Sequence, residues 1–129
     1  MKNIVVLGST GSIGCQTLDV VRAFPDDFHV VGLAGGNNRD LLLRQVEEFK
    51  PKYIYCTDRP SNLPNGVGFI PMDEMVSLEE VDIVMVATMG SVGLVPTLSA
   101  LKHGKLVALS NKEPIVMAGK MIKDFEAKY

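Results

Sequence analysis

The sequence predicts an α/β domain built on a doubly wound, mainly parallel sheet, and three observations predict it. Short β-branched apolar runs alternate with segments of helical period, the runs are apolar on consecutive residues, and the turns between them carry glycine or proline. Consecutive apolar residues demand a strand buried on both faces, and the intervening helices provide the crossovers that parallel strands need.

The elements follow in order. Ile4 to Leu7 is the first strand, leading into Gly8, Gly11 and Gly14. Over residues 12 to 24, Ile13, Thr17, Val20 and Phe24 stand at i, i+4, i+7 and i+11 and predict a helix with these residues on one face, ended by Pro25, Asp26 and Asp27. Val30 to Ala34 is the second strand. Leu42, Val46 and Phe49 mark a second helix that stops at Pro51, and Tyr53 to Thr57 is the third strand. Asp58 to Pro71 holds three prolines, two glycines and two asparagines, so it reads as a surface loop with at most a short strand around Val67 to Ile70. Asp73 to Val81 predicts a short helix and Ile83 to Ala87 a strand. Leu94, Leu98 and Leu101 predict the buried face of a helix that Gly104 terminates, before a strand from Leu106 to Leu109. A last helix begins near Asn111 and runs through Met117, Ile122 and Phe125 to Tyr129.

Composition sets the class. With 129 residues, 47% hydrophobic and 22% charged, the chain suits one globular domain with a real core. Its 13 basic residues against 15 acidic ones are scattered, which argues against a broad nucleic-acid surface but leaves small anionic ligands open. The two cysteines, Cys15 and Cys56, imply a reducing compartment, and the two histidines, His29 and His103, offer no zinc-ligand spacing. The first apolar run is too short for a signal peptide and no apolar stretch is long enough to span a membrane, so the chain reads as cytoplasmic, without a membrane partner.

The strongest motif is GSTGSIG, Gly8 to Gly14, between the first strand and the first helix. Glycine there permits a tight turn and lets a diphosphate approach backbone N–H groups at a helix N-terminus, where the helix dipole favours negative charge. The spacing is GxxGxxG, and no Lys-Ser or Lys-Thr follows, which disfavours a nucleoside-triphosphate loop. The plainer reading is a Gly-rich turn with Ser12 capping the helix.

The second strand ends in Ala34-Gly35-Gly36-Asn37-Asn38-Arg39, about 20 residues after the Gly turn, where NAD enzymes place a carboxylate on the ribose. Amides followed by Arg39 favour the 2′-phosphate of NADP instead. Against this stands Asn38 as a simple helix cap and Arg39 as a solvated charge. Two further clusters fall at the carboxyl edge of the sheet. Ser110-Asn111-Lys112-Glu113 reads equally as a ligand site and as a capping box, and Thr88-Met89-Gly90-Ser91 as a close-approach site or an ordinary strand-to-helix turn. Cys15, near a helix N-terminus, reads as a small packing residue, His29 and His103 as structural or solvated, the methionines as core filler, and Glu47-Glu48 and Glu79-Glu80 as exposed helix charges.

Taken together, Leu7 to Val21 (LGSTGSIGCQTLDVV), Gly32 to Asn38 (GLAGGNN) and Gly93 to Glu113 (GLVPTLSALKHGKLVALSNKE) resemble the 1-deoxy-D-xylulose 5-phosphate reductoisomerase family, in order and over nearly the whole chain. The resemblance implies a Rossmann-like NADPH-binding domain over residues 1–129. Thr10, Gly11, Ser12 and Ile13 match the family's diphosphate-binding turn, Gly36, Asn37 and Asn38 its adenosine-ribose segment, Asn111 and Glu113 further cofactor contacts, and Lys112 a substrate-binding position. Many relatives carry a basic residue where this chain has Asn37. The implied reaction rearranges and then reduces 1-deoxy-D-xylulose 5-phosphate to 2-C-methyl-D-erythritol 4-phosphate, in isoprenoid biosynthesis, with a divalent cation, Mg or Mn, as Lewis acid.

The family's acidic metal motif and its later domains have no match in these residues. The expectation is therefore the N-terminal part of a longer, homodimeric enzyme, with a phosphorylated sugar as substrate and no turnover by this part alone. The alternatives are another NADP dehydrogenase of the semialdehyde-dehydrogenase kind, for which Cys56 sits too early, and a freestanding nucleotide-sensing module.

Overall fold

The computed structural model describes residues 1–61, 63, 64, 66–88 and 90–109. The helix expected from Asn111 lies outside them. Among the described residues six strands, all parallel, are β1 (Lys2–Leu7), β2 (Phe28–Ala34), β3 (Tyr53–Tyr55), β4 (Gly68–Phe69), β5 (Ile83–Val86) and β6 (Leu106–Leu109). They lie in the order β4-β3-β2-β1-β5-β6. Four helices connect them: α1 (Ser12–Ala23), α2 (Arg39–Phe49), the single-turn α3 (Met72–Val76) and α4 (Leu94–Lys102), which a 3₁₀ turn at Gly90–Gly93 precedes. No helix of the described residues is long and apolar enough to cross a membrane.

The consecutive apolar pattern has the predicted cause. In β1, Ile4 and Val6 join Leu18 and Val21 of α1 and Leu42 and Val46 of α2 on one face of the sheet. Val5 and Leu7 join Met75 and Val76 of α3 and Ala100 of α4 on the other. Both faces are thus covered, the doubly wound arrangement.

Three local expectations fail, two for a shared reason. α1 turns Gly14, Leu18 and Val21 inward, while Ile13, Val20 and Phe24 are 41%, 51% and 54% exposed. α4 buries Pro96, Thr97 and Ala100 and leaves Leu94, Leu98 and Leu101 half-buried. The inward face of α1 is set by Gly14, whose lack of a side chain lets the helix sit against the Gly8–Ser9 backbone, and that of α4 by Pro96, Thr97 and Ala100, none of them a large apolar side chain. A count of large apolar side chains therefore selects the wrong stripe. The third expectation, a helix to Val81, stops at Val76, where the Ser77 hydroxyl donates to the carbonyls of Asp73 and Glu74 and takes over the helix end. The loop after Asp58 does contain its short strand, and β4 forms the sheet edge beside β3.

α1 is seated on the turn before it. A Cβ on Gly14 would lie 2.0 Å from the Gly8 carbonyl oxygen and 2.6 Å from the Ser9 Cα, both backbone atoms that cannot swing away. Gly14→Ala is therefore expected to lower stability by roughly 2–4 kcal/mol. At Gly36 a Cβ meets nothing within 4 Å, so Gly36→Ala should change stability by no more than about 0.5 kcal/mol. In the same urea series Leu18→Ala should cost about 2–5 kcal/mol, and Val20→Ala, on the exposed stripe, about 0.5 or less. Equal costs for the last two would contradict the assignment of the inward face.

Cys56 follows β3 and is fully buried, its thiol donating to the Asp58 carbonyl at 3.0 Å. Burial pushes its pKa up, against the opposing effects of a backbone contact at Asp58 and the Arg39 charge. Cys15 is half-buried. At about pH 8 a disulfide reagent should modify Cys15 in the folded chain and reach Cys56 only after unfolding, because thiolate and access are both required. Rapid modification of Cys56 in the native protein would contradict this packing.

Candidate functional site

The site forms where the strand order reverses. β2 lies on one side of β1 and β5 on the other, so the loops leaving the carboxyl ends of β1 and β5 diverge and open a crevice. A cleft of about 380 Å³ occupies it. Gly8, Thr10 and Gly11 form one wall, Gly35, Gly36 and Asn37 a second, and Ala87, Thr88 and Val92 the floor and far side, with Met72 beside them. None of these residues is acidic.

The glycines have separable reasons. Gly8 has φ of +84° and a Cβ there would lie 2.6 Å from the Ala87 carbonyl oxygen, so only glycine brings this turn against the end of β5. Gly11 is different: its nearest obstacle is the Gly8 carbonyl at 3.6 Å, so its outer side is open. It is the N-cap of α1, without a side-chain cap bond, and Ser12 is the first helical residue rather than a cap. The N–H groups of Thr10, Ser12 and Ile13 have no acceptor among the described residues. Unpaired donors at a helix start, a glycine with room above it and no carboxylate among the described lining residues form an anion-binding arrangement.

The second wall carries a different chemistry. Asn38 is the N-cap of α2, its Oδ1 accepting from the Leu41 N–H at 3.2 Å, which leaves its NH₂ group to the surroundings. Asn37 is exposed at the cleft edge, and Arg39, also exposed, opens α2. The Arg39 charge acts on the Cys56 thiol just beyond β3.

The structure thus brings Thr10, Gly11, Gly36 and Asn37 together around one cleft, while Ser12 and Ile13 follow Gly11 as the first residues of α1 and Asn38 caps α2, none of the three lining it. The Ile13 side chain belongs to the outer flank of α1, so the backbone is what this residue presents. Thr88 lines the floor, its Oγ1 buried without a partner among the described residues. Ser110, Asn111, Lys112 and Glu113 lie outside the described residues, as does Met89. His103 bonds the Ser99 carbonyl through Nδ1 at 2.7 Å, Glu48 pairs with Arg22, and Glu80 with Lys52, structural or surface roles in each case. Among the described residues no three His, Cys, Asp or Glu side chains come together as a metal site.

Sequence reading missed two residues beneath the turn. Ser9 is fully buried, and Gln45, 6% exposed, donates from Nε2 to the Ser9 carbonyl at 2.8 Å. The signal was present for Gln45: it stands three residues after Leu42 and beside Val46, on the predicted inward stripe of α2, where a glutamine needs a partner.

The family model for 1-deoxy-D-xylulose 5-phosphate reductoisomerase matches residues 4–119. The enzyme of that name from Bacillus subtilis is 43% identical over 100% of this chain and 37% of its own length. That from Thermoanaerobacter pseudethanolicus is 41% identical over 99% and 36%. This chain therefore spans about a third of the length of these relatives. A crystal structure of the reductoisomerase in complex with NADPH, fosmidomycin and magnesium superposes with a TM-score of 0.89 at 33% identity, covering 99% of this chain and 34% of that one. The Zymomonas mobilis enzyme in complex with NADPH gives 0.86 at 32%, covering 98% and 36%. A Synechocystis biliverdin reductase, at 17% identity and a TM-score of 0.70 over 98% of this chain and 34% of its own, shares the fold. On the match over residues 4–119 and the cleft those residues build, the chain belongs to the 1-deoxy-D-xylulose 5-phosphate reductoisomerase family.

Proposed function

We infer that residues 1–129 form the NADPH-binding domain of a reductoisomerase that converts 1-deoxy-D-xylulose 5-phosphate to 2-C-methyl-D-erythritol 4-phosphate in isoprenoid biosynthesis. The observation that carries this reading is the cleft at the strand-order reversal, walled by two glycine turns and rimmed by unpaired N–H donors. Bound NADPH would supply the hydride for the reduction. The work of this chain is to bind and orient that cofactor. Thr10, Ser12 and Ile13 offer backbone donors to the diphosphate, and Gly11 leaves the space that it fills. Gly36 and Asn37 border the adenosine ribose, with the amide NH₂ of Asn38 free to donate because its oxygen is held by the helix cap.

Arg39 is the cation assigned to the 2′-phosphate. Asn111 and Glu113 complete the cofactor contacts and Lys112 reaches the phosphorylated sugar. The described residues do not fit a divalent cation, so Mg or Mn would be held by carboxylates elsewhere in a longer, homodimeric, cytoplasmic enzyme, and this chain alone would bind cofactor without turnover. The reading invokes no nucleic acid or membrane. A semialdehyde dehydrogenase or a freestanding sensor is disfavoured by the family match.

Titration of the chain with NADPH and NADH, followed by calorimetry, tests the assignment. NADPH should bind more tightly than NADH, and Arg39→Ala should weaken NADPH while leaving NADH nearly unchanged. A clear preference for NADH would overturn the 2′-phosphate assignment. Gly11→Asp has room for its side chain but sets a carboxylate against the diphosphate, and should weaken NADPH by on the order of a hundredfold. Equal binding by this variant and the parent would refute the glycine-turn assignment.

A further inference from the structure

A glutamine at a core position is costly unless its amide is used, and that of Gln45 is used across a gap of 36 residues. Its Nε2 donates to the Ser9 carbonyl at 2.8 Å, and the Cys15 thiol, 3.6 Å from the same oxygen, is 3.9 Å from Nε2. One carbonyl of the glycine turn is therefore drawn inward by side chains from both α1 and α2. The other side of that residue is also held: the Ser9 N–H donates to the Ala34 carbonyl at 2.9 Å and the Gly8 N–H to the same oxygen at 2.7 Å.

A trans peptide places its N–H opposite its C=O. With the Ser9 carbonyl turned into the protein, the N–H of Thr10, the other half of that peptide, is turned away from Gln45. Thr10 lines the cleft and its N–H has no acceptor among the described residues. We propose that Gln45 is a positioning residue for cofactor binding: by holding the Ser9 carbonyl inward it fixes the Thr10 N–H outward as a ready donor to a phosphate oxygen. This deepens, and rests on, the reading of the Gly8–Gly14 turn as the diphosphate site.

The requirement is for an amide. A carboxylate at the same place has no proton to give the Ser9 carbonyl, and methionine, of similar length, has no donor. The Gln45 Oε1 and the Ser9 hydroxyl are each buried without a partner among the described residues. Gln45 also stands on α2, the helix whose cap is Asn38, so one helix carries both the ribose-side residues and the brace beneath the phosphate turn.

The test compares the parent chain with Gln45→Met and Gln45→Glu, each confirmed folded by urea denaturation. Gln45→Met should weaken NADPH about tenfold, the loss expected for one buried hydrogen bond. For Gln45→Glu, affinity relative to the parent should recover as pH falls, because burial raises the carboxyl pKa and its protonated form can donate to Ser9. The ionisable groups around position 45 are Cys15, Asp19 and Arg22 of α1 with Arg44 and Glu48 of α2; their own titration is common to both proteins, while Arg22 and Arg44 lower and Asp19 and Glu48 raise the pKa of the introduced carboxyl, which moves the pH of the recovery but not its direction. A merely structural role predicts no such pH-dependent recovery. The Ser9 carbonyl ¹³C resonance of the cofactor-free chain reads the brace without any ligand and should shift in Gln45→Met.

If the parent binds NADPH and Gln45→Met binds it equally well, the brace is overturned and the diphosphate reading stands. If the parent does not bind NADPH, the diphosphate reading fails, and this positioning role fails with it. An unchanged Ser9 resonance overturns the brace in either case.

Discussion

The structure depends on one backbone contact, the seating of Gly14 against the Gly8 carbonyl. Any side chain at position 14 would drive α1 off the turn, since its Cβ would fall 2.0 Å from that oxygen. Because the helix sits so low, its first N–H groups open at the carboxyl end of β1, where the cleft lies. The same seating selects the inward face of α1. Leu18 and Val21 follow Gly14 at helical spacing and are buried, whereas the larger stripe of Ile13, Val20 and Phe24 is carried outward. A single glycine therefore sets both the position of the site and the packing beneath it.

α1 and α2 are then joined at two levels of very different weight. At the surface, Arg22 forks onto Glu48, 2.5 Å from Nε and 2.8 Å from Nη2, pairs with Asp19, and lies over the Phe49 ring. The Arg22 hydrogen bond holds the Glu48 carboxyl below its ordinary range. A depressed carboxylate stabilises the fold above its unfolded pKa and loses that contribution as acid protonates it, but an exposed pair is screened and its share is small. Beneath the turn, Gln45 bonds Ser9 out of reach of water, and breaking that bond strands buried polar groups. The buried amide is the more consequential link, although it involves no charge.

How much of this was legible follows from which atoms make each contact. Strands announce themselves because both faces are covered by side chains, as in Ile4 to Leu7, and α2 because Leu42 and Val46 are large and inward. The inward faces of α1 and α4 were misread because Gly14 seats α1 through backbone proximity and α4 buries Pro96, Thr97 and Ala100, residues that a tally of large apolar side chains passes over. The glycine turn was legible as a tight strand-to-helix turn and Gln45 as an inward position of α2, yet their pairing was not, since a bond spanning 36 residues leaves no local trace. Asn38 was read two ways, and the Leu41 hydrogen bond shows that its oxygen caps α2 while its NH₂ group remains uncommitted. Asn111, Lys112 and Glu113 entered through family resemblance, because a capping box and a ligand site look alike in sequence.

The walls of the cleft are held by the fold itself, and the reason lies in where the ladder hydrogen bonds stop. They run past the strand ends into each loop: Gly8 and Ser9 donate to the Ala34 carbonyl, Gly35 to Tyr55, and Ala87 to Leu7. Each wall therefore begins on a residue already pinned to the neighbouring strand. Ordering a flexible ligand costs affinity, and a site that also had to order its own loops would lose more to that second cost. Here the loops are fixed by the same hydrogen bonds that finish the sheet. The donors left over, at Thr10, Ser12 and Ile13, are those for which the fold itself has no acceptor. A parallel sheet that ends this way presents unpaired N–H groups at one edge, and an anion is the partner whose chemistry satisfies them.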